Sequence, residues 1–414
     1  MKKVFGFYTK VPLILRIAIG LVIGVLLGLF VKEAAFVSVF GDVFVGALKA
    51  IAPILVFVLV VASLAGAGQG IGRRFRTVII LYMLSTFLAA VVAVIGSYIF
   101  KVTIPLGASA EQAAPTGLGE VFKALLSNMV ANPLTALTSG NYTGILTWAI
   151  ILGLALRAAS DNTKNVLSDI SAGVSKAVAW IIQLAPFGIM GLVYSSVGEY
   201  GIEIFTDYGK ILLLLVGCML AVALIVDPLV VAITLKKNPY PLVFKCFKES
   251  GLTAFFTRSS AANIPVNMKL CEKLGLDKEY YSVAIPLGAT INMDGAAITI
   301  TVMSLAAAFS QGINVNILVA ILLSFVATLG ACGASGVAGG SLLLIPMACS
   351  LLGVGQDVAM QVVAVGFIIG VVQDSLETAI NSSGDIIFCA TAEYRERIKN
   401  GEDIKGCRYG ITMP

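Results

Sequence analysis

The 414-residue sequence contains no histidine, and this absence excludes histidine metal sites and mechanisms that depend on a histidine base. Its seven cysteines include no Cys-x-x-Cys pair, so they are expected to be small packing residues rather than metal ligands or redox groups. Charged residues make up only 12% of the chain, whereas soluble domains carry about 25%. Nucleic-acid binding is not indicated, because the net charge of +5 comes from basic residues at segment ends.

Apolar residues make up 58% of the chain and the mean hydropathy is +0.97, which indicates an all-α membrane protein with several spans. One span requires about 20 apolar residues. The region 119–158 is apolar but is interrupted by polar residues, so it predicts a broken element. Continuous spans are predicted at roughly 11–31, 41–68, 77–100, 171–198 and 209–235.

The distribution of lysine and arginine predicts the orientation of the chain. Basic residues precede the first span, lie between spans two and three, and fill the tail, so both termini are predicted to be cytoplasmic. The basic N-terminus also fits a signal peptide, but residues 14–31 are long enough to span, so a retained first helix is favoured. The basic residues concerned are Lys2, Lys3, Lys10, Arg73, Arg74, Arg76, Arg395, Arg397, Lys399, Lys405 and Arg408.

Two polar segments interrupt the apolar C-terminal half, TRSSAANIP at 257–265 and GACGASGVAGGS at 330–341. A glycine inside a helix costs about 1 kcal/mol relative to alanine, so each segment predicts the tip of a re-entrant hairpin. Each tip is followed by a related motif, GATINMDG at 288–295 and ETAINSSGD at 377–385. Paired interrupted segments of this kind indicate the central site of a transporter; the alternative is two ordinary helix breaks.

Five polar side chains in the last span follow a spacing of i, i+3, i+4, i+7 and i+11, which places them on one helical face. Acids inside a membrane usually mark a path for ions or substrate; the alternative is a solvated face near the membrane edge. Arg258, in the first tip, needs a counter-charge, and Asp374 or Glu377 is its natural partner. The five residues are Asp374, Glu377, Thr378, Asn381 and Asp385.

Two further groups of polar residues bear on cation binding. Asn292 and Asp294 belong to a predicted unwound turn, where free carbonyls and carboxylates suit a hard cation such as sodium. The third span carries the hydroxyls of Tyr82, Ser85 and Thr86 at helical spacing. Taken alone, these hydroxyls are better explained by helix packing.

Together these motifs resemble the dicarboxylate/amino acid:cation symporter family. The resemblance covers nearly the whole chain, is strongest from 250 to 390, and is greatest to bacterial members that carry serine and threonine with sodium. It implies eight transmembrane helices and two re-entrant hairpins with inverted repeats, a homotrimer in the bacterial inner membrane, and an elevator motion. It also implies scaffold segments at 1–76 and 119–208, transport-domain segments at 77–118 and 209–392, and a cytoplasmic tail at 393–414.

The resemblance assigns the substrate site as well. It implies that Asp374 binds the substrate ammonium with help from Thr378, that Asn381 holds the substrate carboxylate, and that Glu377 lies in the same site. The two hairpin tips are implied to surround the substrate. The residues concerned in the tips are Arg258, Ser259, Ser260, Gly333, Ala334 and Ser335.

Three sodium sites are implied by the resemblance, and this makes the hydroxyls of the third span candidate ligands. The first site takes its oxygens from Asp385, Asn381, Gly288 and Asn292. The second combines Thr290 with carbonyls near Thr328, Leu329 and Ala331. The third consists of Tyr82, Ser85, Thr86, Asn292 and Asp294.

Two departures from the acidic-substrate members of the family predict a different specificity. Where those members have an arginine in the last span this chain has Glu377, and where they have a threonine it has Ala296. A buried contact between like charges costs several kcal/mol, so Glu377 is expected to exclude glutamate and other dicarboxylates. Small neutral amino acids remain as the expected substrates, and among them the family resemblance favours serine and threonine.

The expected function is therefore sodium-coupled uptake of serine and threonine. The alternatives are proton coupling, a broader neutral range, an acidic amino acid transporter, an ion channel and an intramembrane enzyme. The enzyme is disfavoured because Asp374 and Asp385 lie about 16 Å apart along one helix, too far to share a proton.

Overall fold

Long apolar helices make up most of this computed structural model, which describes residues 11–31, 34–66, 73–106, 126–127, 129–332 and 339–402. Within those ranges every regular element is helical. The N-terminal half contains α1 (Leu13–Phe30), α2 (Ser38–Gly66), α3 (Arg73–Phe100), α4 (Pro133–Ser139), α5 (Tyr142–Ala155), α6 (Asp161–Ile182) and α7 (Ala185–Tyr200). The C-terminal half contains α8 (Ile204–Ala221), α9 (Asp227–Leu235), α10 (Tyr240–Cys246), α11 (Leu252–Thr257), α12 (Ser260–Lys273), α13 (Lys278–Ile291), α14 (Asp294–Ser310), α15 (Ile317–Ala331), α16 (Ile345–Leu351) and α17 (Gln356–Lys399).

Several of these helices are long and apolar enough to cross a membrane. Among the described residues there are 5 such helices, or up to 6 if one bent pair is counted as a single span. The first predicted span, 11–31, is the 18-residue helix α1. The chain is therefore a multi-pass membrane protein, as its composition predicts. The five longer helices are Ser38–Gly66, Arg74–Phe100, Ile204–Leu235, Lys278–Ser310 and Gln356–Lys399.

The predicted span at 171–198 corresponds to a bent pair of helices rather than to one straight helix. The chain forms α6 and α7 there, and their axes are bent by 52°. The reason lies in Pro186, in the first turn of α7, because proline has no N–H for the preceding turn and its ring clashes with that turn's carbonyl. The predicted break within 119–158 is confirmed in its described part, where Gly140 separates α4 from α5 with φ of 69°.

The polar segment at 257–265 breaks the helix as predicted. Helix α11 ends at Thr257, and Arg258 adopts a left-handed backbone with φ of 51°. Helix α12 then begins at Ser260, and the Ser259 hydroxyl caps it by accepting a hydrogen bond of 3.2 Å from the Ala262 N–H. At the second glycine-rich segment, α15 ends at Ala331 and a 3-10 turn begins at Gly340; residues 333–338 lie outside the described residues.

The predicted unwound turn is present in the span that follows the first tip. Helix α13 ends at Ile291 and α14 begins at Asp294, so Asn292 and Met293 connect two helices without being helical themselves. The backbone at Asn292 has φ of −93° and ψ of 88°. This break brings polar backbone and side-chain groups into the middle of an apolar span, where they need partners inside the protein.

Helix packing divides the described elements into two groups. In the first, α1 packs on α7, and α2 packs on α5, α6 and α7. In the second, α3 packs on α14, α15 and α17, while α17 also contacts α11, α12 and α13. The groups meet where α16 touches α5 and where α17 touches α7. The first hairpin tip, the break at 292–293 and the polar face of α17 all belong to the second group.

Candidate functional site

The polar face of α17 is buried, which confirms the prediction that it points inward. Asp374, Glu377, Thr378, Asn381 and Asp385 are each less than a tenth exposed. Helix α17 packs here on α3 and α11–α14 of the second packing group and on the turn that begins at Gly340. The alternative of a solvated face is thereby excluded.

Asp374 pairs with Arg258. The guanidinium Nε donates a hydrogen bond of 2.6 Å to Oδ2 of Asp374, although the two residues are 116 positions apart. The other carboxylate oxygen, Oδ1, accepts 3.1 Å from the backbone N–H of Gly339. Asp374 therefore holds together the tip of the first hairpin and the described edge of the second.

A small cavity lies beside this ion pair and places it at the boundary between the two packing groups. The cavity is lined by Arg258, Gly339 and Asp374 on one side. Leu13, Ile17, Ile182 and Ala185, from the first group, line the other side.

Glu377 is hydrogen-bonded by hydroxyl and amide groups, while Arg258 pairs with Asp374. Its Oε2 accepts hydrogen bonds of 2.8 Å from Thr299, 2.8 Å from Ser341 and 2.5 Å from Gln373. Of the two partners that the sequence offered to Arg258, the structure selects Asp374. Three donors on one oxygen hold the Glu377 carboxylate in a single orientation within the site.

Thr378 and Asn381 bond to nearby backbone. The Thr378 hydroxyl donates 2.8 Å to the Asp374 carbonyl of its own helix. Asn381 reaches across to the unwound turn, where its Oδ1 accepts 2.8 Å from the Gly295 N–H. This approach requires glycine, because a Cβ at Gly295 would lie 2.7 Å from Cα of Glu377.

The first of the implied sodium sites is assembled around Asp385. Asn292 donates 3.3 Å to Oδ1 of Asp385, and a Cβ at Gly288 would lie only 2.8 Å from the same oxygen. Oδ2 of Asp385 and Oδ1 of Asn292 are buried and have no hydrogen-bond partner within the described part of the chain. Unsatisfied buried oxygens are costly, so this donor set fits a cation such as sodium.

Tyr82 lies beside Asp385, at the first implied sodium site, rather than beside Asp294. Its hydroxyl lies 2.9 Å from the backbone carbonyl oxygen of Asp385 and 3.3 Å from that of Ala284, and the shorter contact makes Asp385 the better acceptor. Ser85 and Thr86, one turn further along α3, instead reach Asp294. Ser85 Oγ lies 2.6 Å from Oδ2 of Asp294, and Thr86 Oγ1 lies 2.9 Å from Oδ1.

At the second implied sodium site, the hydroxyls of Thr290 and Thr328 bond within their own helices. Thr290 donates 2.7 Å to the Leu287 carbonyl, and Thr328 donates 2.7 Å to the Ser324 carbonyl. Cys332 connects the two helices, since its thiol lies 3.8 Å from the Ile291 carbonyl and 3.4 Å from that of Thr328. Leu329 and Ala331 lie in the last turns of α15, whereas Gly333, Ala334 and Ser335 lie outside the described residues.

Two features of this region were missed in the sequence. One is Asp227, fully buried, whose Oδ1 lies 2.9 Å from the Ser85 hydroxyl; its signal was a lone acid in the apolar run 211–235. The other is a buried polar network that joins the first hairpin to α17, in which Asn263 donates 2.7 Å to Ser382 Oγ and Ser250 donates 2.6 Å to Asn267. Such a network makes the hairpin a rigid part of the second group.

Carboxyl groups outnumber basic side chains in this buried region. Five buried carboxyl groups lie here, whereas no lysine or arginine in the described ranges is fully buried, and Arg258 pairs with only one of the five, Asp374. In those ranges no three His, Cys, Asp or Glu side chains converge as a metal cluster, so a cation here needs hydroxyl, amide and carbonyl oxygens as well. The five residues are Asp227, Asp294, Asp374, Glu377 and Asp385.

This helical architecture and site define a class of membrane transporter. Residues 13–394 match the sodium:dicarboxylate symporter family, and the chain belongs to that family. Among curated proteins it is similar to the serine/threonine transporter SstT of Bifidobacterium adolescentis, with 57% identity over 99% of this chain and 96% of that protein. It is also 53% identical to the serine/threonine transporter SstT of Streptococcus thermophilus, over 95% of this chain and 98% of that protein.

Proposed function

We propose that this chain is a sodium-coupled symporter that brings serine and threonine into the cell. The similarity to proteins named serine/threonine transporters, above half identity and nearly end to end, supports the substrate. The structural observation that carries the proposal is the excess of buried carboxylates over Arg258. Buried acids without counter-charges are strongly disfavoured, and a cationic ammonium group together with sodium ions would neutralise them.

The substrate ammonium is proposed to bind Asp374 in place of Arg258. Both are cationic donors, and the carboxylate oxygen that accepts from Nε at 2.6 Å is the one the ammonium would take. The substrate carboxylate is proposed to bind Asn381 and the N-terminus of α12 at Ser259 and Ser260, where helix N–H groups and the helix dipole favour an anion. Thr378 assists from one turn beyond Asp374, and Gly333, Ala334 and Ser335 of the second tip are proposed to cover the substrate.

Glu377 is proposed to set the specificity. Its carboxylate is held beside Asp374 by three donors, so a substrate side chain that reaches it must not be anionic. A hydroxyl can donate to a carboxylate, which favours serine and threonine, whereas aspartate and glutamate would meet a like charge in a buried site.

Sodium is proposed to bind as co-transported cargo at the three places implied by the resemblance. The unpartnered oxygens of Asp385 and Asn292 support the first place, with Asn381, Gly288 and the adjacent Tyr82 hydroxyl around it. Asp294 with Ser85 and Thr86 supports the third. The second is proposed at Thr290 and the carbonyls near Thr328, Leu329 and Ala331, where Cys332 joins the two helices.

Transport is proposed to follow the elevator motion of a homotrimer in the bacterial inner membrane, with both termini cytoplasmic and with eight spans and two re-entrant hairpins. The division of helix contacts supports this proposal, since α3 and α8–α17 pack mainly with one another, and α1, α2 and α5–α7 do likewise. The second group would move as the transport domain and carry the whole site with it, which matches the proposed segments 77–118 and 209–392.

The function is tested with the purified protein in proteoliposomes. We expect radiolabelled serine to accumulate above its external concentration when an inward sodium gradient is imposed, and not when choline replaces sodium. Unlabelled threonine should compete, and glutamate should not. Uptake that persists in choline and follows a pH gradient would assign the coupling to protons, and sodium-driven conductance without accumulation of serine would indicate a channel.

The Gly288→Ala variant tests the sodium site at Asp385. The added Cβ would lie 2.8 Å from Oδ1 of Asp385 and 2.9 Å from the Tyr82 hydroxyl, so these groups must move apart. We expect the half-saturating sodium concentration for serine uptake to rise about 10-fold, which corresponds to about 1.4 kcal/mol. Gly209→Ala is the matched control, because a Cβ there meets no atom within 4 Å. A sodium dependence equal to that of the control would remove Gly288 from the site.

A further inference from the structure

Asp227 is a buried acid to which neither the family resemblance nor the proposed sites give a role. It lies at the start of α9, directly after the π-helical turn Val222–Val226 and before Pro228. Its side chain is fully buried, and it is the only charged residue in the apolar run 211–235. A charge in this position is expensive, which makes it a candidate for function rather than packing.

The Ser85 hydroxyl lies between two carboxylates. Its Oγ is 2.9 Å from Oδ1 of Asp227 on α9 and 2.6 Å from Oδ2 of Asp294 on α14. A hydroxyl carries one proton and can donate to only one of these oxygens at a time. Thr86 stabilises Asp294 through the other oxygen, at 2.9 Å, whereas Asp227 has no equivalent second donor among the described residues.

The other carboxylate oxygen of Asp227 also indicates a missing partner. Oδ2 is buried and has no hydrogen-bond partner within the described part of the chain. Asp227 and Asp294 are both buried and share the single hydroxyl of Ser85, and Oδ2 of Asp227 is left without a donor. Burial of such groups is costly unless a positive group lies between them.

We propose that Asp227 is a direct ligand of a sodium ion that it shares with Asp294 and Ser85. Two carboxylates and a hydroxyl are hard oxygen donors, which suit a hard cation. The ion would neutralise charge on α9 and α14 at once and connect both helices to α3 through Ser85. This inference rests on the proposed sodium coupling and adds to it a carboxylate from α9, to which the resemblance assigns no sodium ligand.

The test compares the thermal stability of the full-length purified protein over a range of sodium chloride, with choline chloride keeping the ionic strength constant. A ligand that binds only the folded state stabilises it by an amount that rises with the logarithm of its concentration relative to Kd. For Asp227→Asn we expect the sodium concentration that gives a fixed rise in melting temperature to increase at least about 10-fold. The melting temperature without sodium should stay level or rise, because the variant removes an uncompensated buried charge.

The matched control is Asp207→Asn, since Asp207 lies on the adjoining helix α8 but is partly exposed and paired with Lys210 at 2.8 Å. It should keep the sodium dependence of the wild-type protein. Asp227→Ser serves as a second neutral variant in case the asparagine variant does not fold. If Asp227→Asn changes the melting temperature equally at all sodium concentrations, or keeps the sodium dependence of the control, the proposal is overturned. Asp227 is then only a hydrogen-bond partner of Ser85.

Failure of the proposed function gives a different result. If sodium does not stabilise the wild-type protein more than choline does, the sodium coupling itself is wrong. If sodium stabilises the wild-type protein and Asp227→Asn equally, only the role of Asp227 is wrong. Stabilisation by calcium or potassium that depends on Asp227, without a comparable effect of sodium, would contradict the choice of ion.

Discussion

Serine accumulation is expected to fall at least about 100-fold in the Asp374→Asn variant, while the protein remains folded. Removal of one partner of a buried charge pair costs about 2–5 kcal/mol, and each 1.4 kcal/mol is a factor of about ten in affinity. The variant loses the carboxylate proposed to bind the ammonium. It also leaves the Arg258 guanidinium without its partner at 2.6 Å, so a positive charge now faces the positive end of the substrate.

The measurement for Asp374 combines sodium-driven uptake with the thermal stability of the purified variant, so that loss of function is separated from loss of fold. Asp357→Asn is the control on the same helix α17, since Asp357 is exposed and pairs with Lys49 at 2.8 Å. We expect that control to transport serine as the wild-type protein does. An Asp374→Asn variant with an unchanged KM for serine would show that the pair with Arg258 is purely structural.

The second large effect is expected at Glu377, where Glu377→Arg should turn the specificity toward acidic amino acids. The wild-type carboxylate is buried and fixed by Thr299, Ser341 and Gln373. A guanidinium in its place attracts a substrate carboxylate and can bind it through two parallel hydrogen bonds. We expect aspartate to inhibit serine uptake at a concentration at least about 10-fold lower than in the wild-type protein.

Glu377→Gln is the control, because it removes the charge of Glu377 without changing the length of the side chain. It removes the repulsion but supplies no cation, so aspartate should remain a much weaker inhibitor than in the arginine variant. The measurement is competition by aspartate, glutamate, serine and threonine against radiolabelled serine in proteoliposomes. If the arginine variant keeps the wild-type order of inhibitors, Glu377 does not determine specificity and the account of the site must change at that residue.

Local features of the site were well predicted from the sequence. The spacing of Asp374, Thr378 and Asn381 predicted one inward face, and all three are buried. The Asn-Met-Asp-Gly motif predicted the break at 292–293, and the serine-rich segment predicted the break at Arg258. These predictions depend on helical periodicity and on backbone preferences, which act over a few residues.

Contacts between distant segments could not be predicted in this way. The sequence left Arg258 with two candidate partners, and only the packing of the first hairpin against α17 selected Asp374. Tyr82 was grouped with Asp294, yet its hydroxyl meets the backbone of Asp385. The predicted span 171–198 overlooked Pro186, because its apolar composition outweighed the effect of a single proline on the helix.

The sequence by itself determined the class of protein, the inward polar face and the helix breaks at Arg258 and at 292–293, because hydrophobicity, periodicity and backbone preferences act locally along the chain. Only the tertiary structure decided which charges meet. It placed Arg258 on Asp374, three donors on Glu377, and Asp227 with Asp294 on one serine hydroxyl. Apart from Gln373 and Glu377, which are neighbours on α17, these pairings join residues 36 to 209 positions apart. The burial that makes them energetically decisive exists only after the helices have packed.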